Sequence, residues 1–291
     1  MMYSKHDFSR IEKHLEPVPA CPLCGGRKHS QLYAFQPFEV VRCMHCSLGY
    51  LSPRLSEEAM MAQYKDPGYF EDSNGCGYED YKLQEAGLRY SFRNLLHILE
   101  KKGLTGGALL EIGCGPGLFL DEAKKYFGYR VGTEFSASIA QQALKFADRM
   151  VVGGLDHLEE TDYFDVIIAI SVIEHVYEPI PFLASICNHL RTGGAVVLVT
   201  PDLDGLWRRL FRSRWPSFKI PEHVIYFNTE TLRQLGTESG LQKVDLFGFT
   251  QIFPLSLILN KLCIRHTPPW FQRLLLPVPY TMICSVLRRI D

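Results

Sequence analysis

The sequence predicts an α/β protein with a doubly wound, mostly parallel sheet, preceded by a small cysteine-bearing module. Downstream of residue 107, continuous apolar segments alternate with amphipathic ones, as in strands that helices cover on both faces. A glycine-rich turn directly follows the first of these apolar segments. Two close cysteine pairs within residues 21–46 predict the separate module.

Composition divides the chain into five parts. Residues 1–17 are polar and expected to be flexible, residues 18–55 hold the paired cysteines, and residues 56–106 are expected to form a helical linker and lid. The core is expected over residues 107–250 and an apolar extension over residues 251–291. The expected core strands are 108–112, 130–134, 151–152, 164–170, 195–200 and 242–249.

Bulk properties argue against several classes of protein. The 291 residues are 46% hydrophobic and 22% charged, as in a globular protein with a sizeable core. The net charge of -1 excludes electrostatic binding of nucleic acid or anionic membrane by the protein as a whole, so any basic surface must be local. No secretory signal or membrane-spanning apolar run is recognised, and the nine cysteines suit a reducing compartment. We therefore expect a cytoplasmic location.

The glycine-rich turn has the form Glu-x-Gly-x-Gly-x-Gly and runs from Glu111 through Gly113 and Gly115 to Gly117. Glycines let the main chain approach a ligand closely, and the helix expected after them offers free N–H groups. Glu134 ends the next expected strand, where a carboxylate can accept hydrogen bonds from both hydroxyls of a ribose. The alternative is a plain tight turn with a surface glutamate.

These motifs resemble the class I S-adenosylmethionine-dependent methyltransferases over residues 84–250. The resemblance implies a Rossmann-like core in which the glycine turn packs against the methionine part of S-adenosylmethionine. It further implies that Glu111 orients the cofactor's amino group, Glu134 holds the ribose, Phe135 lies beside the adenine, and Ser171 reaches the cofactor or the acceptor. The implied cofactor-binding residues are Glu111, Gly113, Cys114, Gly115, Gly117, Glu134, Phe135 and Ser171.

The paired cysteines Cys21, Cys24, Cys43 and Cys46 form the pattern Cys-x2-Cys-x18-Cys-x2-Cys. Each pair predicts a tight knuckle with two thiolates, and two knuckles complete the tetrahedral sulfur shell of a structural zinc site. Four unmetallated thiols are the alternative. The segment lacks a basic stripe, which argues against a nucleic-acid grip. With the module included, the chain resembles methyltransferases with an N-terminal zinc-binding domain, among them sugar C-methyltransferases that act on nucleotide-linked deoxyketosugars.

Two histidines are candidates for the chemistry. The sugar C-methyltransferases have a glutamate–histidine pair near the substrate, which implies His223 as general base and Glu222 as the residue that orients it or binds the acceptor. His175 follows the fourth expected strand, where ligands bind in parallel α/β sheets. Some relatives carry a metal-binding Glu-x-x-Glu-His there, but Ser171 replaces the first glutamate, so no catalytic metal is predicted. The structural alternative is that both histidines brace loops.

Two further segments bear on the acceptor. Residues 207–219 combine tryptophans with arginines and either clamp a phosphorylated acceptor or form a solvated lid. Residues 251–291 are apolar but interrupted by prolines and basic residues. Three roles stay open for this extension: it covers the core, forms a dimer contact or touches a membrane surface.

The sequence therefore predicts a methyltransferase that acts on a small or glycan-related acceptor, such as a nucleotide-linked sugar or a polysaccharide intermediate. The alternatives are a small-metabolite O- or N-methyltransferase, an RNA methyltransferase, and a non-catalytic zinc-dependent binding protein. The Asn-Pro-Pro-aromatic tetrad of base amino-methylation does not occur in the sequence, which disfavours the RNA alternative. No motif encodes the oligomeric state.

Overall fold

The computed structural model of the protein describes residues 12–65, 78–241, 243–261, 271 and 274–288. Within these ranges the strands form a seven-stranded sheet, a four-stranded sheet and a two-stranded ribbon. Strands β1–β13 and helices α1–α8 are numbered in chain order.

The first strands build the N-terminal module. They are β1 (Leu15–Glu16), β2 (His29–Phe35), β3 (Phe38–Cys43), β4 (Gly49–Leu51) and β5 (Arg54–Leu55). Strands β2, β3 and β4 pair antiparallel in that order, and β1 pairs with β5. Helices α1 (Glu57–Lys65) and α2 (Tyr78–Lys101) follow, in the segment that was expected to be helical.

The remaining elements build the core around one large sheet. They are β6 (Ala108–Ile112), α3 (Leu118–Ala123), β7 (Tyr129–Glu134), α4 (Ala137–Ala143), β8 (Arg149–Val152), β9 (Phe164–Ile170), α5 (Pro179–Asn188), β10 (Leu190–Pro201), α6 (Leu206–Phe211), β11 (Ile225–Tyr226), α7 (Thr229–Glu238), β12 (Lys243–Pro254), α8 (Leu255–Lys261) and β13 (Leu275–Arg288). The sheet order is β12-β13-β10-β9-β6-β7-β8. Strands β10, β9, β6, β7 and β8 are parallel, whereas β13 is antiparallel to both of its neighbours. The prediction of a mostly parallel α/β sheet is confirmed.

The apolar strands are buried because both faces of the sheet are covered. Leu109, Val166 and Val197 point to the face that packs with α2. Their chain neighbours Leu110 and Ile167 point to the opposite face, where α5 and α7 pack. Alternate residues of one strand therefore enter different halves of the core, which explains why the strands read as continuous apolar runs.

The C-terminal extension needs a correction. A division at residue 250 separates it from the core, yet β13 lies inside the large sheet between β10 and β12. Its buried half, residues 282–287, pairs with both neighbours. Pro277 and Pro279 obscure the strand in the sequence, and they fall in the outer half, beyond the residues that pair with β10, where a missing N–H is tolerated. None of the described helices is both long and apolar enough to cross a membrane.

The module and the core share a sheet. Strand β11, which belongs to the core by sequence, pairs with β4 and completes the four-stranded sheet of the module. Tyr50 faces Ile225 in this pairing, and the backbone N–H of Leu51 donates to the carbonyl of Val224 at 2.9 Å. The module is thus joined by main-chain hydrogen bonds to the segment that follows His223.

Candidate active site

The glycine turn lies between β6 and α3, at the carboxyl edge of the sheet. Gly113, Gly115 and Gly117 all adopt left-handed backbone conformations, with φ of 64°, 54° and 81°. A Cβ on Gly113 would lie 2.9 Å from the Cγ2 atom of Val172, and such a contact is too close to accommodate. The turn therefore requires glycine, and it presents bare main chain at the mouth of the sheet.

Glu134 ends the neighbouring strand β7 and turns its carboxylate toward the glycine turn. One oxygen accepts the N–H of Gly115 at 3.1 Å, and the other accepts the N–H of Ser136 at 2.9 Å. Each carboxylate oxygen keeps a further lone pair for a ligand hydroxyl. Burial raises the pKa of this carboxyl above its ordinary value, although the two N–H donors counteract the shift.

Glu111 lies on β6 next to the turn and is only 4% exposed. Its Oε2 atom is buried without a hydrogen-bond partner among the described residues. Burial, and next the charge of Glu134, raises the pKa of the Glu111 carboxyl well above its ordinary value. An unsatisfied buried carboxyl is costly, so a ligand that brings a cationic or N–H donor group would be stabilised here.

Three other predicted cofactor residues lie around this turn. Cys114 is buried within it and donates its backbone N–H to Thr133. Phe135 is 45% exposed and lies against Gly154, which leaves a flat aromatic face open to solvent. Ser171 directly follows β9 and has a left-handed backbone, with φ of 55°. Its N–H donates to the carbonyl of Val199 on β10. The fold thus gathers the predicted cofactor residues from three parallel strand ends.

The second cluster of polar groups contains Glu174, His175 and His223. Glu174 and His175 belong to one short turn after β9, and His223 comes from the segment before β11. The two imidazole rings meet edge to face, with centroids 4.7 Å apart. One ligand atom from each of the three side chains lies within 4.8 Å of the other two, an arrangement that can hold a metal ion.

Glu174 and His223 are buried and His175 is half-buried, and this burial sets the protonation of the cluster. Burial lowers the pKa of His175 to about 3 and that of His223 well below its ordinary value, and Lys219 adds to both shifts. Burial raises the pKa of Glu174 to about 7, against the hydrogen bond that Thr200 donates to its Oε2 atom at 2.9 Å. Both imidazoles are therefore neutral at pH 7. The Nδ1 atom of His223 and the Oε1 atom of Glu174 have no partner within the described chain.

A second glutamate, Glu174, lies close to His223. Glu222 was expected to orient His223 or to bind the acceptor, and this role stays a prediction; the Nδ1 atom of His223 has no partner among the described residues, and the glutamate of the three-residue cluster is Glu174. Glu174 takes the adjacent position, and the backbone N–H of Val224 donates to the Glu174 carbonyl at 2.9 Å. The sequence signal for Glu174 was its place as the second glutamate of the Glu-x-x-Glu-His pattern, directly after a core strand.

The four paired cysteines form a second candidate metal centre, inside the module. Their sulfur atoms all lie within 4.8 Å of one another, and the Cys21–Cys46 and Cys24–Cys43 pairs are 3.5 Å apart. A tetrahedral zinc site with bonds of about 2.3 Å has sulfur atoms about 3.8 Å apart, so the arrangement fits this metal. In both knuckles the residue after the second cysteine, Gly25 or Ser47, is left-handed, with φ of 69° and 68°.

The sheet order, the glycine turn and the carboxylate at the end of β7 together define a class I methyltransferase fold. The model of a family described as "Methyltransferase domain" matches residues 83–246. The chain belongs to this methyltransferase-domain family.

Curated relatives at low identity are ubiquinone biosynthesis O-methyltransferases. The enzyme of Cereibacter sphaeroides strain KD131 is 28% identical over 209 residues, which cover 66% of this chain and 82% of that enzyme. The enzyme of a Bradyrhizobium species is 29% identical over 33% of this chain, and the mitochondrial enzyme of Schizosaccharomyces pombe is 26% identical over 43%. The chain spans 41% and 47% of the lengths of these last two enzymes.

Solved methyltransferases share the fold. An S-adenosylmethionine-dependent methyltransferase from Thermotoga maritima matches 73% of this chain and 94% of its own, with 20% identity and a TM-score of 0.53. The plantazolicin methyltransferase in complex with SAH matches 79% of this chain and 93% of its own, with 16% identity and a TM-score of 0.51. At these identities the likeness shows the fold alone.

Proposed function

We propose that the protein transfers a methyl group from S-adenosylmethionine to a hydroxyl group of a small-molecule acceptor. The observation that carries the proposal is the pair of carboxyls at the glycine turn, Glu134 bonded to Gly115 and Glu111 with its Oε2 atom buried without a hydrogen-bond partner among the described residues. A ligand with a ribose diol at one end and an ammonium group at the other satisfies both carboxyls. S-adenosylmethionine has these two groups.

The remaining residues around the turn complete the cofactor site. The bare main chain of Gly113, Cys114 and Gly115 borders the methionine part, and Gly117 begins helix α3. The exposed ring of Phe135 gives the adenine an apolar surface on which to stack. Ser171, exposed after β9, lies toward the acceptor side.

Methyl transfer is an in-line displacement, and the sulfonium supplies an excellent leaving group. The acceptor oxygen bonds to the methyl carbon while the electron pair of the broken S–CH3 bond stays on sulfur, which yields S-adenosylhomocysteine. The protein has to align the acceptor and remove its hydroxyl proton. His223 is the proposed base, since its Nδ1 atom has no partner among the described residues and is available to accept the proton. His175 packs against His223 and limits its orientation, and Glu222 remains the proposed acceptor-binding neighbour.

A second role for the same cluster is favoured by its geometry. Glu174, His175 and His223 together offer one carboxylate oxygen and two neutral imidazole nitrogens within 4.8 Å of one another. These donors suit a divalent cation, which would orient an acceptor oxygen and favour its deprotonated form. In this alternative His223 is a ligand rather than a base, so the two roles exclude each other.

The proposed acceptor class is supported by the curated relatives, whose names specify O-methylation in ubiquinone biosynthesis. A glycan-related or nucleotide-linked acceptor stays a prediction from sequence resemblance. For the four cysteines we propose a structural zinc ion, because four thiolates fill a tetrahedral shell and leave no position for a substrate.

Calorimetric titration of the purified chain with S-adenosylmethionine and S-adenosylhomocysteine tests the cofactor assignment. We expect saturable binding of both, and no binding at millimolar ligand removes the proposed function. Methyl-labelled S-adenosylmethionine is then supplied with two acceptor panels, phenols and catechols in one and nucleotide-linked deoxyketosugars in the other. Label in the first panel supports the proposed acceptor class, whereas label confined to the second reassigns it to sugars.

A further inference from the structure

Exposed apolar side chains concentrate in two elements that contact each other, helix α6 and the outer half of β13. We call their exposed surface the α6–β13 face. Among the described residues, twelve large apolar side chains are exposed, and five of them belong to these two elements or the residue before β13. They are Leu206, Leu210, Leu274, Leu276 and Tyr280. Clustering of this kind marks an interaction site, whereas single exposed apolar residues do not.

Specific contacts hold the face together. The indole Nε1 of Trp207 donates to the carbonyl of Pro279 at 2.6 Å, which fixes α6 against β13. Trp207 also stacks on Phe211, with ring centroids 6.0 Å apart. The Tyr280 ring lies where a Cβ of Gly248 would be, only 2.1 Å from its Cδ1 atom, so only glycine fits beneath it. Leu206, Leu210 and Tyr280 nevertheless remain 62%, 64% and 63% exposed.

Basic residues are concentrated along α6 and the segment after it. Residues 205–221 contain five lysines and arginines and no aspartate or glutamate, although the whole chain carries a net charge of -1. Arg208 bonds to Asp204, but Arg209, Arg214 and Lys219 are exposed and form no ion pair within the described ranges. The partner of this face therefore carries negative charge next to apolar surface.

The face adjoins the acceptor side of the proposed active site. The segment that carries α6 leaves β10 at the carboxyl edge of the sheet, where the glycine turn lies. It then leads to Lys219, whose carbonyl accepts the N–H of His223 at 2.7 Å. A partner on the α6–β13 face would thus contact the segment that leads from α6 to His223.

The combination of apolar and basic groups favours one of three possible partners for this face: a second copy of the chain, nucleic acid or an anionic bilayer. In a two-fold dimer the same patch meets itself, so basic groups would face basic groups without an acidic residue to pair with them. Nucleic acid selects exposed aromatic rings for stacking, whereas four of the five exposed side chains here are leucines. Leucines flanked by arginines suit the headgroup and acyl boundary of an anionic bilayer.

We propose that the α6–β13 face docks on an anionic lipid surface and that the acceptor reaches the active site from the bilayer. Docking itself depends only on this face. The second half of the proposal rests on the proposed function, because it assumes that an acceptor is methylated beside His223.

Vesicle sedimentation with the full chain tests the docking. Vesicles of phosphatidylcholine alone are compared with vesicles that also contain phosphatidylglycerol, each at low and high salt. We expect binding at least about tenfold stronger to the anionic vesicles, and its loss at high salt, since each basic residue near the surface contributes about 1 kcal/mol. Equal binding to both vesicle types, or none to either, overturns the proposal.

Matched variants assign the binding to the face. Leu206→Ser with Leu210→Ser, and separately Arg209→Glu with Arg214→Glu, should each lower vesicle binding at least about tenfold. The controls Leu144→Ser and Lys124→Glu, exposed directly after α4 and α3, should leave it unchanged. Unchanged binding in the face variants overturns the proposal, and so does a stable dimer that these variants dissociate. Stronger retention on single-stranded RNA than on anionic vesicles overturns it as well.

Calorimetry with S-adenosylhomocysteine accompanies every variant. Retained cofactor binding shows that a variant is folded, so that loss of vesicle binding reports on the face. Cofactor binding that fails in the unaltered chain contradicts the proposed function while the docking result still stands.

Discussion

Leu51 of the cysteine module donates its backbone N–H to the carbonyl of Val224, the residue after His223, at 2.9 Å. Two residues earlier, Gly49 pairs with Tyr226 in the same antiparallel ladder. The four-cysteine site and the proposed base therefore lie at two ends of one small sheet. Disturbance of the cysteines should reach the active site through main-chain hydrogen bonds.

Loss of the proposed zinc ion should destabilise the protein and loosen the segment that carries His223. Cys43→Ser removes one of four ligands, and we expect the bound zinc to be lost and Tm to fall by at least about 5 °C, because structural zinc contributes folding free energy directly. Zinc content by mass spectrometry and thermal unfolding measure this. Met44→Ser, exposed in the same knuckle, is the control and should change neither quantity. A purified protein without zinc and with an unchanged Tm in Cys43→Ser would contradict the assignment.

Glu134→Ala should weaken S-adenosylhomocysteine binding by at least about 100-fold. The expectation follows from the loss of charge-assisted hydrogen bonds to the ribose, each contributing about 1.5–3 kcal/mol. Calorimetry measures the change in Kd, and Glu160→Ala, exposed and remote from the turn, is the matched control. Equal affinity in the two variants would show that Glu134 serves only to brace Gly115.

Glu111 should release a proton when S-adenosylmethionine binds. In the ligand-free protein burial raises the pKa of its carboxyl, and an ammonium group placed beside it would lower that pKa again. Between pH 4.5 and the raised pKa, the ligand-free protein holds this proton and the complex does not. Calorimetry in buffers of different ionisation enthalpy counts the released proton, and Glu111→Gln should abolish the release.

The raised pKa of Glu111 also predicts how the free energy of unfolding depends on pH. The folded ligand-free protein binds more protons at Glu111 than the unfolded chain does, so its free energy of unfolding falls as pH rises above 4.5, by up to about 1.4 kcal/mol per pH unit. Glu111→Gln should flatten this dependence in urea unfolding. A steeper or unchanged pH profile in the variant would mean that the carboxyl is ionised in the folded protein.

His223→Ala should lower kcat by at least about 100-fold and leave the Kd for S-adenosylhomocysteine unchanged, because a general base contributes this much without holding the cofactor. His97→Ala, on the exposed side of α2, is the control. Glu174→Gln and added divalent cations separate the two roles of the cluster. A base predicts a modest effect of Glu174→Gln and no stimulation of the unaltered protein by Mg²⁺ or Mn²⁺, whereas a cation site predicts loss as severe as in His223→Ala and stimulation by one of these ions. Full activity of His223→Ala would eliminate both roles.

Local sequence patterns were sufficient to predict the glycine turn and the strands that flank it. The turn needs three left-handed positions within five residues, and glycine meets that demand in a recognisable spacing. The spacing between Gly117 and Glu134 is likewise fixed by one helix and one strand, so the approach of this carboxylate to Gly115 could be anticipated.

Contacts between segments that are distant in the chain could not be predicted from local sequence patterns. Glu174 and His223 are brought together by the hydrogen bond from the backbone N–H of Val224 to the Glu174 carbonyl, just before β11, and a two-residue strand has no periodicity by which to recognise it. Strand β13 was missed because prolines interrupt its outer half, while the buried half alone is too short to distinguish from a helical segment.

The place of β13 between β10 and β12 has a consequence for synthesis. Within the described part of the chain, β12 has β13 as its only neighbour in the sheet. A nascent chain therefore exposes the apolar edge of β10 and an unpaired β12 until residue 288 has emerged from the ribosome. During this interval both edges are open to pairing with other chains, so slow translation of the last segment should favour aggregation or capture by chaperones.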